Sequence, residues 1–265
     1  MKRCAVHREK VAYGPEPAQF GHVYHSPEVT AGERPIRPVV LVHGGYWSTD
    51  FGLTIETAIA RAFAERGAVV WNVEYRRLAG DTSPGDEGAG WPATGRDVIA
   101  ALQALDGPVP DALPAEVARR TDWNSAAVVG HSAGGQLAVW ATARLGARTD
   151  RCAITTVVAQ SALLDTVRAA DRPSVRALMG RDYVDIPQRY ADASPLEQPP
   201  FPAHVVAIHA AEDRAIPAEM SRHYVRTVSA AGQSAELIVV PGEGHDAFVD
   251  PRSVSTRQTV RVLGI

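Results

Sequence analysis

The chain reads as an α/β protein: a mostly parallel central sheet with helices on both faces and a small cap insertion. Two observations point there. Short, nearly continuous runs of Val, Ile, Leu and Ala recur at 39–42, 68–75, 126–129, 154–159, 204–209 and 236–240. Strands apolar on both faces belong inside a parallel sheet covered on both sides. Segments of helical periodicity separate these runs, and strands alternating with helices build such a sheet. A length of 265 residues suits a single domain over 1–265 with a large core.

The elements follow in order. Residues 4–13 and 20–25 are expected to pair as two opening antiparallel strands. Pro35 and Pro38 precede the strand at 39–42. A helix is expected over 54–66, where Ile59, Ala62 and Phe63 share a face with Ile55, and Gly67 stops it. The strand at 68–75 leads into a loop at 78–90, rich in Gly, Asp and Ser. Trp91-Pro92 opens a helix running to residue 105, because proline suits a first turn. Residues 106–122 read as a proline-punctuated connector. A strand at 126–129 precedes a helix-forming run at 136–143, and the next strand is 154–159. Residues 161–203, with Met179, Tyr183 and Tyr190, are too long for a plain crossover. They read as a small helical cap over the carboxyl ends of the strands, where ligands bind in open α/β sheets; the alternative is a surface excursion without a role. The last two strands and helices at 218–230 and 246–262 close the pattern.

Composition excludes several classes. The net charge is −3, so neither nucleic acid nor an anionic membrane is an expected partner. Two cysteines, Cys4 and Cys152, make no disulfide framework and no metal site, and read as free thiols in a reducing cytosol. Residues 1–10 carry charge without an apolar run, unlike a signal peptide. No apolar stretch approaches the ~18 residues of a membrane span. A cytoplasmic protein is expected, and a homodimer is compatible with it. The absence of H-E-x-x-H, a cysteine cluster and a dinucleotide fingerprint predicts no metal and no cofactor.

The chemistry concentrates in Gly130-His131-Ser132-Ala133-Gly134, a G-x-S-x-G segment between a strand and a helix. Such a turn holds the serine hydroxyl out of the sheet, and glycines are needed two residues either side, where a Cβ would clash. Ser132 is therefore the expected nucleophile. His43-Gly44-Gly45-Tyr46-Trp47 follows the first parallel strand. A glycine-rich loop there can aim N–H groups at a developing oxyanion. Ala133 N–H and Gly45 N–H are the expected donors, with Gly44 or Tyr46 as alternatives for the second. Asp213 and His245 each follow a later strand, so the chain order is Ser, Asp, His. His245 is the candidate general base, and Asp213 the acid that orients it; Asp165 and Glu212 are alternative acids. His43, His131, His209 and His223 read as structural, and Trp91 and Trp140 as core. Tyr46 and Trp47 either floor an aromatic pocket or pack against the sheet edge.

From about Pro38 onward the chain resembles the α/β-hydrolase superfamily. His43-Gly44-Gly45-Tyr46-Trp47 is similar to the H-G-G-Y-W stretch of kynurenine formamidases (arylformamidases) and related small bacterial carboxylesterases. Glu74-Tyr75-Arg76-Arg77-Leu78, then Trp91-Pro92-Ala93 and Asp97, resembles the Y-R-L…F-P-A…D stretch of hormone-sensitive-lipase-like and feruloyl-esterase-like relatives, and Ala193-Ser194-Pro195-Leu196 is similar to the end of the insertion in that group. Tyr46 stands where the lipase-type loop carries a third glycine. The resemblance implies an α/β-hydrolase fold and a serine hydrolase that cleaves a small-molecule ester or an aryl formamide through an acyl-enzyme. Two other readings use the same residues: an acyl-transferring or cyclising tailoring enzyme, and a non-hydrolytic ligand-binding member of the fold.

Overall fold

The computed structural model describes residues 5–27, 34–79 and 88–265. Eight strands form one sheet: β1 (His7–Ala12), β2 (Phe20–His25), β3 (Pro38–Val42), β4 (Val69–Val73), β5 (Ala126–His131), β6 (Ile154–Gln160), β7 (His204–Ala210) and β8 (Ala235–Val240). Their order across the sheet is β1-β2-β4-β3-β5-β6-β7-β8. β1 and β2 pair antiparallel, β2 meets β4 antiparallel, and the other neighbours are parallel. The fold is an α/β-hydrolase fold, as expected.

Strand alternation divides the core. Val40 and Val42 face one layer, with Val98 and Leu102 of helix α2 (Ala93–Gln103) and Leu137 of α5 (Ala133–Arg144). Val39 and Leu41 face the other, with Ile59 and Phe63 of α1 (Thr57–Ala64). Both faces of β3 are thus buried, which explains its unbroken apolar run. Each such Val or Leu side chain contributes roughly 1.5–3 kcal/mol by leaving water.

Several boundaries differ from expectation. The helix expected at 54–66 begins as a 3-10 turn, Leu53–Glu56, before α1. Pro92 precedes α2 rather than forming its first residue. The connector at 106–122 contains two short helices, α3 (Pro108–Asp111) and α4 (Ala115–Arg120), each opening at a proline. The helix expected at 246–262 is two elements, a 3-10 turn at His245–Val249 and α9 (Val254–Leu263). Pro251 separates them, and Ser253 Oγ caps α9 by accepting Thr256 N–H at 2.9 Å. Most of the loop expected at 78–90, and Cys4 of the first strand, lie outside the described residues.

The insertion at 161–203 holds α6 (Pro173–Met179) and α7 (Pro187–Ala193), and α8 (Glu219–Ala230) follows β7. Two side chains of α5 tie the insertion down. Gln136 Nε2 donates to Ala193 O at 2.7 Å, and Trp140 Nε1 to Asp192 O at 2.6 Å. Trp140 also packs edge-on to Trp91, ring centres 4.5 Å apart. Met179 and Tyr190 are buried in the same core, while Tyr183 is partly exposed.

Candidate active site

β5 delivers Ser132 at its carboxyl end, in the turn before α5. Its backbone is left-handed, φ 53° and ψ −117°, a region that non-glycine residues rarely occupy. The flanking glycines make the turn feasible. A Cβ on Gly130 would overlap the carbonyl of Gly134, and one on Gly134 would overlap the carbonyls of Val42 and His43. The elbow is thereby pressed against the end of β3, which carries the glycine-rich loop.

That loop holds a second run of left-handed backbone: Gly45 at φ 112°, Tyr46 at 57° and Trp47 at 58°. A buried network beneath it keeps the conformation. His43 Nε2 meets Glu74 Oε1 at 2.8 Å, and Tyr75 Oη donates to His43 O at 2.7 Å. Burial opposes ionisation of Glu74, but its hydrogen bond and charge interaction with His43, with Arg77 beside them, hold its pKa below the usual value. Gly44 lies against Ser132: a Cβ there would sit 3.1 Å from Ser132 Cβ. Among the described residues, the N–H groups of Gly44, Gly45 and Tyr46 donate to no protein acceptor. Ala133 N–H opens α5, where first-turn amides have no intrahelical acceptor. The loop and the elbow therefore present unused donors from two sides of Ser132.

Asp213 follows β7, and its side chain is fully enclosed. Oδ2 lies 2.7 Å from His245 Nδ1, and Oδ1 accepts Ala215 N–H and Ile216 N–H, each at 2.8 Å. Burial raises the carboxyl's pKa, but the hydrogen bonds from His245 and Ile216 outweigh it and hold Asp213 at about 2. His245 follows β8, one ring edge against Asp213 and the other free. Its Nε2 and Ser132 Oγ make no hydrogen bond among the described residues. Of the alternative acids, Asp165 Oδ1 accepts Arg168 N–H at 2.9 Å and closes its own turn, and Glu212 is exposed.

His131, within the elbow, is tied to His245. Its Nε2 donates to His245 O at 3.0 Å, and the two rings stand 4.6 Å apart. Burial, then the neighbouring His245, push the His131 pKa down to about 3. His209 packs below Asp213, its Nε2 donating to Ile216 O at 2.9 Å, and burial lowers its pKa. His131 is therefore neutral and Asp213 ionised near neutral pH, and burial favours the neutral form of His209 as well. The pH profile of a reaction using His245 as base should show one ionisation rather than two. Log(kcat/KM) is expected to rise with unit slope and then level off, because only a neutral imidazole accepts the proton. A slope of two, measured on a substrate whose chemical step limits the rate, would mean that a second group titrates.

Above these residues lies a small open cleft whose lining includes Ser132, Ala133, Tyr46 and Trp47. Tyr46 is 53% exposed, whereas Trp47 is 1% exposed and belongs to the core. Of the two aromatic residues singled out in the sequence, Tyr46 is thus the one presented to solvent. The remaining lining was not read from the sequence: Leu163, Arg172 and Ser174 of the insertion, and Ala215 and Ile216 after Asp213. For Leu163, Arg172 and Ser174 the only sequence signals are the length of the insertion and its place after β6; for Ala215 and Ile216 it is their closeness in sequence to Asp213.

A family model described as alpha/beta hydrolase fold matches residues 39–249. Esterase LipC of Mycobacterium tuberculosis is 27% identical over 264 residues; the match covers 92% of this chain but spans only 60% of that relative. Among solved structures, a truncated carbohydrate esterase from gut microbiota superposes with a TM-score of 0.77 at 17% identity, covering 100% of this chain and 97% of that one. Esterase B from Lactobacillus rhamnosis, inhibited by a tributyrin phosphonate, gives 0.75 at 16% identity, covering 98% and 85%. A thermophilic esterase from Thermogutta terrifontis with butyrate bound gives 0.68 at 16%, covering 99% and 92%. At these identities the structural likenesses establish the fold. Among the described residues, no helix is long and apolar enough to cross a membrane.

Proposed function

The chain belongs to the alpha/beta hydrolase family, and from that premise we propose that it is a serine esterase acting on small esters through an acyl-enzyme. The observation that carries the reading is the 2.7 Å hydrogen bond from His245 to a buried, ionised Asp213, beside an elbow serine whose hydroxyl is unengaged. Ser132 Oγ attacks the ester carbonyl while His245 Nε2 takes its proton. The oxyanion accepts hydrogen bonds from Ala133 N–H and from Gly45 N–H, with Gly44 or Tyr46 N–H as further donors. Collapse expels the alcohol, which receives the proton from His245. A water, deprotonated by His245, then attacks the acyl-enzyme and releases the acid, restoring Ser132. Asp213 holds Nδ1 as the protonated nitrogen, leaving Nε2 as the base throughout.

An aryl formamide is the narrower reading, favoured by one observation: Tyr46 presents an exposed ring at the mouth of a small cleft. Stacking there adds ~0.5–1.5 kcal/mol beyond area burial, up to roughly tenfold in affinity. Trp47 is a poor probe because its truncation would open the core. The experiment is a rate comparison of 4-nitrophenyl acetate, butyrate and decanoate, and of ethyl acetate with N-formylkynurenine, using wild type and Tyr46→Ala. Acetate and butyrate should exceed decanoate in kcat/KM. Aryl formamide turnover should fall more than alkyl acetate turnover in Tyr46→Ala. Equal losses would end the formamide reading, and a preference for acyl chains beyond about eight carbons would contradict a small cleft.

A further inference from the structure

One side chain in the cleft lining carries a formal charge, and the chemistry above does not use it. Arg172 stands just before α6, in the insertion, and lines the same cleft as Ser132. Its guanidinium is anchored rather than free: Nη1 donates to Ala215 O at 2.7 Å, and Ala215 itself lines the cleft. The anchor uses one of five N–H donors. Among the described residues no carboxylate lies within 4 Å of this guanidinium, whereas Arg176, one turn along, pairs with Asp182 at 3.2 Å. Ser174 adds a hydroxyl to the same stretch of lining, and no carboxylate side chain joins it. Asp171, next to Arg172 in sequence, is exposed and forms no ion pair with it among the described residues, and Asp213, beside the anchoring loop, is enclosed and engaged by His245 and two amides.

A half-buried cation held in place, without an acid partner, beside a nucleophile is a receptor for an anion. Guanidinium donors match the two oxygens of a carboxylate, and such charge-assisted pairs are stronger than neutral hydrogen bonds. We infer that Arg172 binds a carboxylate of the substrate, so that the preferred substrates are esters carrying a carboxylate away from the scissile bond. This rests on the serine-esterase reading for the bond that is cleaved, but not for the binding of the anion.

Two substrate pairs test it, one with the charge on each side of the scissile bond. They are 4-acetoxybenzoate against methyl 4-acetoxybenzoate, and monomethyl adipate against methyl hexanoate. The ratio of kcat/KM within each pair is compared between wild type, Arg172→Gln and Arg172→Lys, so that intrinsic reactivity cancels. In at least one pair the anionic-to-neutral ratio should fall about tenfold or more in Arg172→Gln and less in Arg172→Lys, which keeps the charge but not the fork. Unchanged ratios in both pairs, or equal losses on both members, would overturn the inference. Calorimetric binding to Ser132→Ala, with and without Arg172→Gln, separates the two readings. If no ester is turned over but the anionic one binds Ser132→Ala at least tenfold tighter than its neutral partner, and Arg172→Gln removes that preference, the esterase reading fails and Arg172 stands. If turnover is normal and no such preference exists, Arg172 fails alone.

Discussion

Ser132→Ala should lower kcat on a short-chain 4-nitrophenyl ester by about 10⁵–10⁶-fold, while leaving the melting temperature within a few degrees of wild type. The two halves of this result have different origins. In the proposed mechanism the hydroxyl is the group that forms the acyl bond. Structurally it is idle: Ser132 Oγ makes no hydrogen bond among the described residues, so its removal strands no partner. The unusual backbone at φ 53° is held by the packing of Gly130 and Gly134, which an alanine at 132 does not disturb. A fluorophosphonate probe should label wild type at Ser132 alone, and peptide mass analysis reads the site. A variant that kept more than a thousandth of wild-type turnover, or an adduct on another serine, would move the nucleophile elsewhere.

The parts of this arrangement legible in the sequence are those that one short segment dictates. Apolar runs announce buried strands because both faces of β3 and β5 are covered. The elbow is legible because only glycine fits at 130 and 134. Asp213 and His245 stand out because each follows a strand, and β7 and β8 are neighbours whose ends bring the two side chains together. What required coordinates is what distant segments make jointly. Arg172 and Ala215 are forty-three residues apart and meet only because the insertion folds back over the end of β7. Nothing local distinguishes Arg172 from Arg168 or Arg176. The different placements of Tyr46 and Trp47 also escape pattern reading. Three successive left-handed residues turn the chain so that Trp47 points into the core and Tyr46 outward. The split of the last helix was readable in hindsight, since Pro251 interrupts the segment and Ser253 is a good cap.

Asp213→Asn should cost about 10⁴ in kcat with the fold intact, a larger effect than its conservative shape suggests. The carboxylate accepts three N–H groups, from Ala215, Ile216 and His245. An asparagine can keep Oδ1 toward the two backbone amides, but its NH₂ then faces His245 Nδ1. Two donors cannot share a hydrogen bond, so Nδ1 must become the acceptor and the proton moves to Nε2, where the base is needed. The imidazole stays in place in the wrong tautomer. Asp165→Asn, whose oxygen only closes its own turn on Arg168 N–H, should change kcat by less than tenfold. Stability supplies an independent reading. The folded pKa of Asp213, about 2, lies below its ordinary value of 3.8. A depressed carboxylate contributes stability that is present above the unfolded pKa and lost as pH falls through the folded one. Asp213→Asn should therefore be less stable than wild type at pH 7, by roughly 2 kcal/mol, and the difference should shrink between pH 4 and pH 2. Denaturant melts at the two ends of that range measure it. A large loss of activity in Asp165→Asn with none in Asp213→Asn would assign the acid to the end of β6 instead.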